Sequence, residues 1–189
     1  MVAVIEEQIE ATSKPWQELN LDPHHYRDLK SSGLTDETIR ECGFYTERSY
    51  PRLAAMIGWK FYPKKMGSAL VIPFRSPGGE LDGYKRIKPS APKRNRNGKP
   101  QKYISPKGRD QKPYFPPAVI EKLSDASIPL IVTEGEKKAA KATQEGFPCI
   151  GLVGVFSFSV RGEANLSPEL HCIDWNGRDV FICYDSDLN

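Results

Sequence analysis

A chain of 189 residues with 39% hydrophobic and 27% charged side chains has the composition of a globular protein of one or two domains, long enough to bury a core. Its four cysteines, Cys42, Cys149, Cys172 and Cys183, contain no C-x-x-C pair, which excludes zinc-ribbon and thioredoxin-type chemistry. No apolar run approaches the ~18 residues of a membrane span, and the acidic start, Glu6, Glu7 and Glu10, is unlike a signal peptide, so the reading is a reduced, cytoplasmic protein.

Residues 1–15 carry no clear pattern. Asp22-Pro23 then predicts a helix start, with Pro at the first helical position, and a short helix from His24 to Lys30 that ends near Gly33. Thr35 caps a second helix, Asp36 to Cys42, which Gly43 closes; Asp36 and Glu37 favour its positive end. Two short helices around a turn resemble a helix-turn-helix, but a groove-reading helix carries more Arg, Asn and Gln than these do. His24 and His25 have no further His nearby before His171, so they read as a solvated helix start and not as a metal pair. Leu53 to Ile57 predicts one more helix.

Gly67 to Phe74 reads as a strand, Pro77-Gly-Gly-Glu80 as a turn, and Leu81 to Ile87 as the returning strand of a hairpin. From Lys85 to Lys112 the chain carries eleven Lys or Arg against the single acid Asp110, leaving 16 basic and 23 acidic residues elsewhere. The net charge of +3 therefore conceals a strongly polarised molecule. Lys93, Arg94 and Arg96 lie at the centre of this segment, and Asn95, Asn97, Tyr84, Tyr103 and Tyr114 add groups that hydrogen-bond phosphate or stack on bases. The segment predicts a polyanion track, one that nucleic acid would follow.

In the last third two apolar runs end on acid. Pro129 to Thr133 leads into Glu134-Gly135 and an Ala/Lys-rich helix that Gly146 stops; Cys149 to Leu152 is a further strand; Ser167-Pro168 starts a short helix; and Val180 to Cys183 leads into Tyr184-Asp185-Ser186-Asp187. Strand, helix, strand, loop, strand is the rhythm of a parallel α/β sheet, whose ligands bind beyond the carboxyl ends of the strands. Both acid-bearing strands are apolar throughout and should be covered on both faces, with Cys149 and Cys183 as small core residues. Glu134, Asp185 and Asp187 at one sheet edge repel one another unless cations lie between them, and oxygen-only ligands suit Mg²⁺ or Mn²⁺. The site chemistry expected is phosphoryl transfer.

Glu134-Gly135 after one apolar strand and Tyr-Asp-x-Asp after another, with Asp185 51 positions beyond Glu134, resembles the Toprim domain of bacterial DnaG-type primases and of plasmid- and phage-encoded relatives. That domain also occurs in type IA and type II topoisomerases and in some nucleases. The upstream phrases resemble the primase branch: Tyr26 to Ile39 is similar to its helical lead-in, and the stretches Val71 to Arg86 and Pro100 to Pro106 to its core phrases, which topoisomerases lack. The resemblance covers residues 24–187. It implies an α/β fold with a Toprim-like parallel sheet, preceded by a helical lead-in (1–66) and a basic β-containing subdomain (67–125), the partial catalytic domain being 126–189.

What the resemblance implies about activity is metal-dependent, template-directed nucleotidyl transfer in the DNA replication of a mobile element or phage. Glu134, Asp185 and Asp187 would be the catalytic acids and ligands of Mg²⁺ or Mn²⁺. The resemblance gives Arg86 and Lys102 as contacts to template and nucleotides; from the basic segment Lys85, Lys88, Lys93, Arg94, Arg96 and Tyr103 would join them, and Lys137, Ser157 and Arg161 would be further substrate contacts. The partners implied are a single-stranded DNA template, nucleoside triphosphates and a replicative helicase, with no membrane. A metal-dependent nuclease uses the same acids, and a non-catalytic single-strand-binding replication module uses only the basic segment. The chain departs from the primase pattern at Glu136 and Lys138, lacks a zinc ribbon, and stops two residues after Asp187, so an incomplete sheet in a truncated protein is expected.

Overall fold

The computed structural model describes residues 14–94, 98–154, 157–159 and 165–185. A single turn, α1 (Pro15–Glu18), leads into α2 (Pro23–Ser31), where Pro23 sits in the first turn beside the extended N-cap Asp22. In α3 (Asp36–Cys42) the Thr35 hydroxyl accepts the Thr38 N–H at 3.1 Å, and Gly43 ends the helix at φ +69°. Both ends follow the sequence expectation.

The first sheet has the order β1-β2-β3, formed by β1 (Tyr45–Glu47), β2 (Ala69–Arg75) and β3 (Leu81–Pro89), all antiparallel. Strand β2 is central yet contains Pro73, which has no N–H to give to a ladder. The conflict is resolved locally: β1 reaches only Ala69 to Val71, and the pairing with β3 slips between Pro73 and Arg75. Successive β2 side chains divide between two cores, as a period of two requires. Leu70, Ile72 and Phe74 face Leu29, Ile39, Tyr84 and Tyr114; Ala69 and Val71 face Ile87 and Leu53 and Ile57, at and just beyond α4 (Tyr50–Met56). Each such fully buried aliphatic side chain contributes roughly 1.5–3 kcal/mol.

The second sheet is parallel, in the order β5-β4-β6, from β4 (Leu130–Glu134), β5 (Cys149–Leu152) and β6 (Val180–Cys183), with α5 (Glu136–Gln144) joining β4 to β5. Ala139 and Ala140 of α5 and Cys149 belong to the same core as Leu29, Leu34, Phe44 and Tyr84, so helical lead-in, hairpin and α5 share one apolar interior. The opposite face, Leu130, Val132, Ile150 and Leu152, packs on Phe115, Val119, Leu170 and Ile173. At the far end of α5 the Gln144 amide accepts the Thr35 N–H at 2.9 Å and donates to the Gly33 carbonyl at 3.1 Å. That fixes the helix to the α2–α3 turn.

The expected covering of β6 does not occur. Val180, Phe181 and Ile182 are 41%, 55% and 67% exposed, and Cys183 is exposed while Cys149 is buried. The reason is position: among the described residues β6 pairs with β4 alone and forms the sheet edge. No helix among the described residues is long and apolar enough to cross a membrane.

Candidate nucleic-acid and metal site

The parallel register aligns Thr133 with Cys183, and the Thr133 hydroxyl donates to the Cys183 carbonyl at 2.8 Å, so Glu134 and Asp185 leave neighbouring strands at the same edge. Glu134 is half-buried and Asp185 exposed. Burial, with the Glu134 charge added to it, pushes the Tyr184 phenol above its ordinary range. The turn out of β4 needs glycine twice. Gly135 has φ +93° and donates its N–H to the Leu152 carbonyl at 2.7 Å, while a Cβ on Gly151 would lie 2.8 Å from the Gly135 carbonyl oxygen. Two positions past Glu136, the Lys138 ammonium forms an ion pair with Asp185. Asp187 lies outside the described residues, as do Arg96 and Arg161.

Beside this edge stands a charged wall built from three elements. Glu136, only 3% exposed, pairs with the Arg86 guanidinium from β3, and Arg86 lies 5.1 Å from the ring centroid of Tyr103. Lys88, also from β3, is 5.6 Å from that ring and 2.6 Å from Asp28 of α2; Lys137 of α5 meets the other oxygen of Asp28 at 3.1 Å. Burial alone would raise the Asp28 carboxyl, but the hydrogen bond from Lys88 and the charge of Lys137 hold it below the usual carboxylate range. Burial lowers the Lys137 ammonium, against the pull of Asp28. Lys137, Lys138 and Lys141 also line an open groove of about 630 Å³ along α5. The wall holds three cations, Arg86, Lys88 and Lys137, against two acids, Glu136 and Asp28, a positive balance suited to phosphate.

Two organising acids, Asp28 and Glu136, escape sequence reasoning. Glu136 stood out only as a departure from the primase pattern, and nothing local marks Asp28, whose lysine partners are 60 and 109 positions away. The other predicted contacts are dispersed. Lys93 lies 5.0 Å over the Trp59 ring, Arg94 donates to the Gly98 carbonyl at 2.7 Å, Lys102 is exposed and Lys85 half-buried. Ser157 is buried, and its hydroxyl accepts the Gly154 N–H at 2.8 Å, which commits it to that turn. His25 corrects the solvated-helix reading: it is 3% exposed, its Nδ1 is 2.8 Å from the Thr46 hydroxyl, and burial, with His24 beside it, lowers its pKa to about 4.

This arrangement can be set beside known proteins. Residues 120–189 match a family described as a domain of unknown function, DUF3854. Over 75 residues the chain is 32% identical to an uncharacterized protein of Picosynechococcus sp., an alignment covering 34% of this chain and 8% of that protein. The crystal structure of the Aquifex aeolicus primase (zinc-binding and RNA polymerase domains) superposes with a TM-score of 0.57 at 17% identity, covering 87% of this chain and 43% of that one. A DnaG primase catalytic domain bound to single-stranded DNA gives 0.54 at 15% identity, covering 88% of this chain and 55% of the other. The fold is primase-like. The chain spans about half the length of these solved structures and a small fraction of the curated relative.

Proposed function

We propose that the protein acts in DNA replication as a primase-like nucleotidyltransferase with a Toprim-type site. The observation that carries this reading is the edge of the parallel sheet, where Glu134 and Asp185 leave adjacent strands beside the Arg86–Glu136 and Lys88–Asp28–Lys137 contacts. The donors there are carboxylate oxygens, which suit Mg²⁺ or Mn²⁺, and Asp185 already takes a cationic partner in Lys138, so the residues fit a divalent ion. Glu134, Asp185 and Asp187 would hold it. Such an ion, when bound, stabilises charge on phosphoryl oxygens and acidifies the attacking hydroxyl.

The chain's own residues supply the rest. Lys88 and Lys137 present ammonium groups to a triphosphate or template phosphate, while Tyr103 and Lys102 border the path of a single strand. Lys93 and Arg94 extend that path. The experiment is template-dependent primer synthesis from nucleoside triphosphates, with Mg²⁺ or Mn²⁺, by the protein and by Asp185→Asn. Synthesis that needs metal and is lost in the variant supports the proposal. Metal-dependent strand cleavage without synthesis would replace it by a nuclease, and single-strand binding with no metal-dependent reaction would leave a binding module.

A further inference from the structure

We propose that Asp22, His24 and His25 form a second metal site, for a zinc-class transition ion, at the start of α2, one helical turn before Asp28. One ligand atom from each of the three lies within 4.8 Å of the others, and among the described residues this is the group of His, Cys, Asp and Glu that meets such a spacing. Two imidazoles and a carboxylate are a zinc-type donor set, unlike the oxygen-only acids of the parallel sheet.

The hydrogen bonds around the group are arranged as such a site requires. Ser90, directly after β3, brings its hydroxyl to 2.7 Å from His24 Nε2 and 3.4 Å from His25 Nε2, so both Nε2 atoms converge on one point. His25 Nδ1 is held at 2.8 Å by the Thr46 hydroxyl, which itself accepts the Asp22 N–H at 2.9 Å. An outer bond that fixes one ring nitrogen and turns the other inward is the usual support of a metal-bound imidazole.

Asp22 is already engaged, and the engagement decides which oxygen is available. Arg48 takes Oδ1 through Nε at 2.9 Å and Nη2 at 2.7 Å, while Oδ2 meets the Ser68 hydroxyl at 2.5 Å. A metal entering at Oδ2 leaves the Arg48 pair in place. The displaced Ser68 hydroxyl has Ser90 Oγ 3.1 Å away, and Ser90 donates to the Ser68 carbonyl at 2.7 Å, so each displaced group keeps a partner. Water completes the shell. Bound metal would take the place of the contacts that Ser68 and Ser90, at the two ends of the hairpin, make with the start of α2.

The test is titration of the metal-stripped full chain with Co²⁺, followed by displacement with Zn²⁺, in the parent and in Asp185→Asn, which removes the acid edge as a competing site. One equivalent should bind with visible d–d bands of nitrogen and oxygen ligation. His24→Ala, at an exposed position, should weaken it at least tenfold while leaving the unfolding cooperative. His25→Gln should do the same and abolish the Zn²⁺-induced rise in Tm. Absence of saturable binding, binding unchanged in His24→Ala, or a sulfur-to-cobalt charge-transfer band reporting the exposed Cys172 and Cys183 would each overturn the proposal.

Discussion

Arg86 and Glu136, fifty positions apart, form an ion pair in which the side chains are 9% and 3% exposed. Such a pair contributes little net stability as a unit, but removing one member strands a buried charge at a cost of about 3–5 kcal/mol. Arg86→Ala should therefore destabilise the fold by that order, and the Arg86→Met, Glu136→Leu double variant by much less. Urea unfolding measures both. Equal losses would mean that the pair is not isolated from water.

If Asp185 holds a divalent cation, as proposed, Lys138 competes with that ion for it. Their exposed ion pair is worth at most ~1 kcal/mol, so Lys138→Met should lower the Mn²⁺ concentration needed for half-maximal thermal stabilisation by up to about fivefold. Asp185→Asn should remove the response altogether. If Asp185→Asn kept the Mn²⁺ response, Asp185 would not be a ligand.

Lys93 and Arg94 are exposed, one over the partly buried Trp59 ring and the other on the Gly98 carbonyl, so replacing both by Ala should leave the Tm within a few degrees. Affinity for a single strand should fall, and the log–log salt slope should flatten by about 0.7 for each phosphate that is no longer neutralised. An unaltered slope would remove these residues from the nucleic-acid path. Lys88→Ala behaves differently, because it also deprives half-buried Asp28 of a partner.

The sign of one pH effect follows from Asp28. Its folded-state pKa is held below the ordinary carboxylate value, so the unfolded chain takes up the proton first as pH falls. Its stabilising contribution is complete above the unfolded pKa of about 4 and disappears as pH drops through the lower folded value. Asp28→Asn should thus lose stability at neutral pH and show a flatter dependence below pH ~4, read as urea midpoints across pH.

Exposed β6 is expected to promote self-association. Ile182 and Phe181 stand on the strand that, among the described residues, forms the sheet edge, a template for pairing with other chains. Ile182→Lys should reduce self-association seen by light scattering at high protein concentration, with little change in Tm. A parent chain already monodisperse under those conditions would refute it.

Most of the elements were legible because each has a local cause: Thr35 and Gly43 bracket α3, alternation marks the hairpin, and apolar runs ending on Glu134 and Asp185 mark the parallel strands. Strand β1 was not legible, since three residues acquire a strand conformation only by pairing with Ala69 to Val71. The apolar run of β6 reports an appetite for burial and says nothing of whether a neighbour supplies it. At the site, the acids and many of the bases could be named, but not the pairs: Glu136 finds Arg86, and Asp28 finds Lys88 and Lys137, across separations of 50 to 109 positions. His25 read as solvated because its burial depends on Thr46, a residue of the strand that was not foreseen.

The attachment of Gln144 to Gly33 and Thr35 limits how such a protein can be recombined. With Glu136 pinned to Arg86 at the other end, α5 has its axial position dictated by two segments that precede it in the chain. A parallel-sheet segment exchanged from a relative would arrive with a helix cut to another turn and another hairpin. Inheritance of the lead-in, hairpin and sheet as one block is the simplest way to keep Glu134 and Asp185 in register.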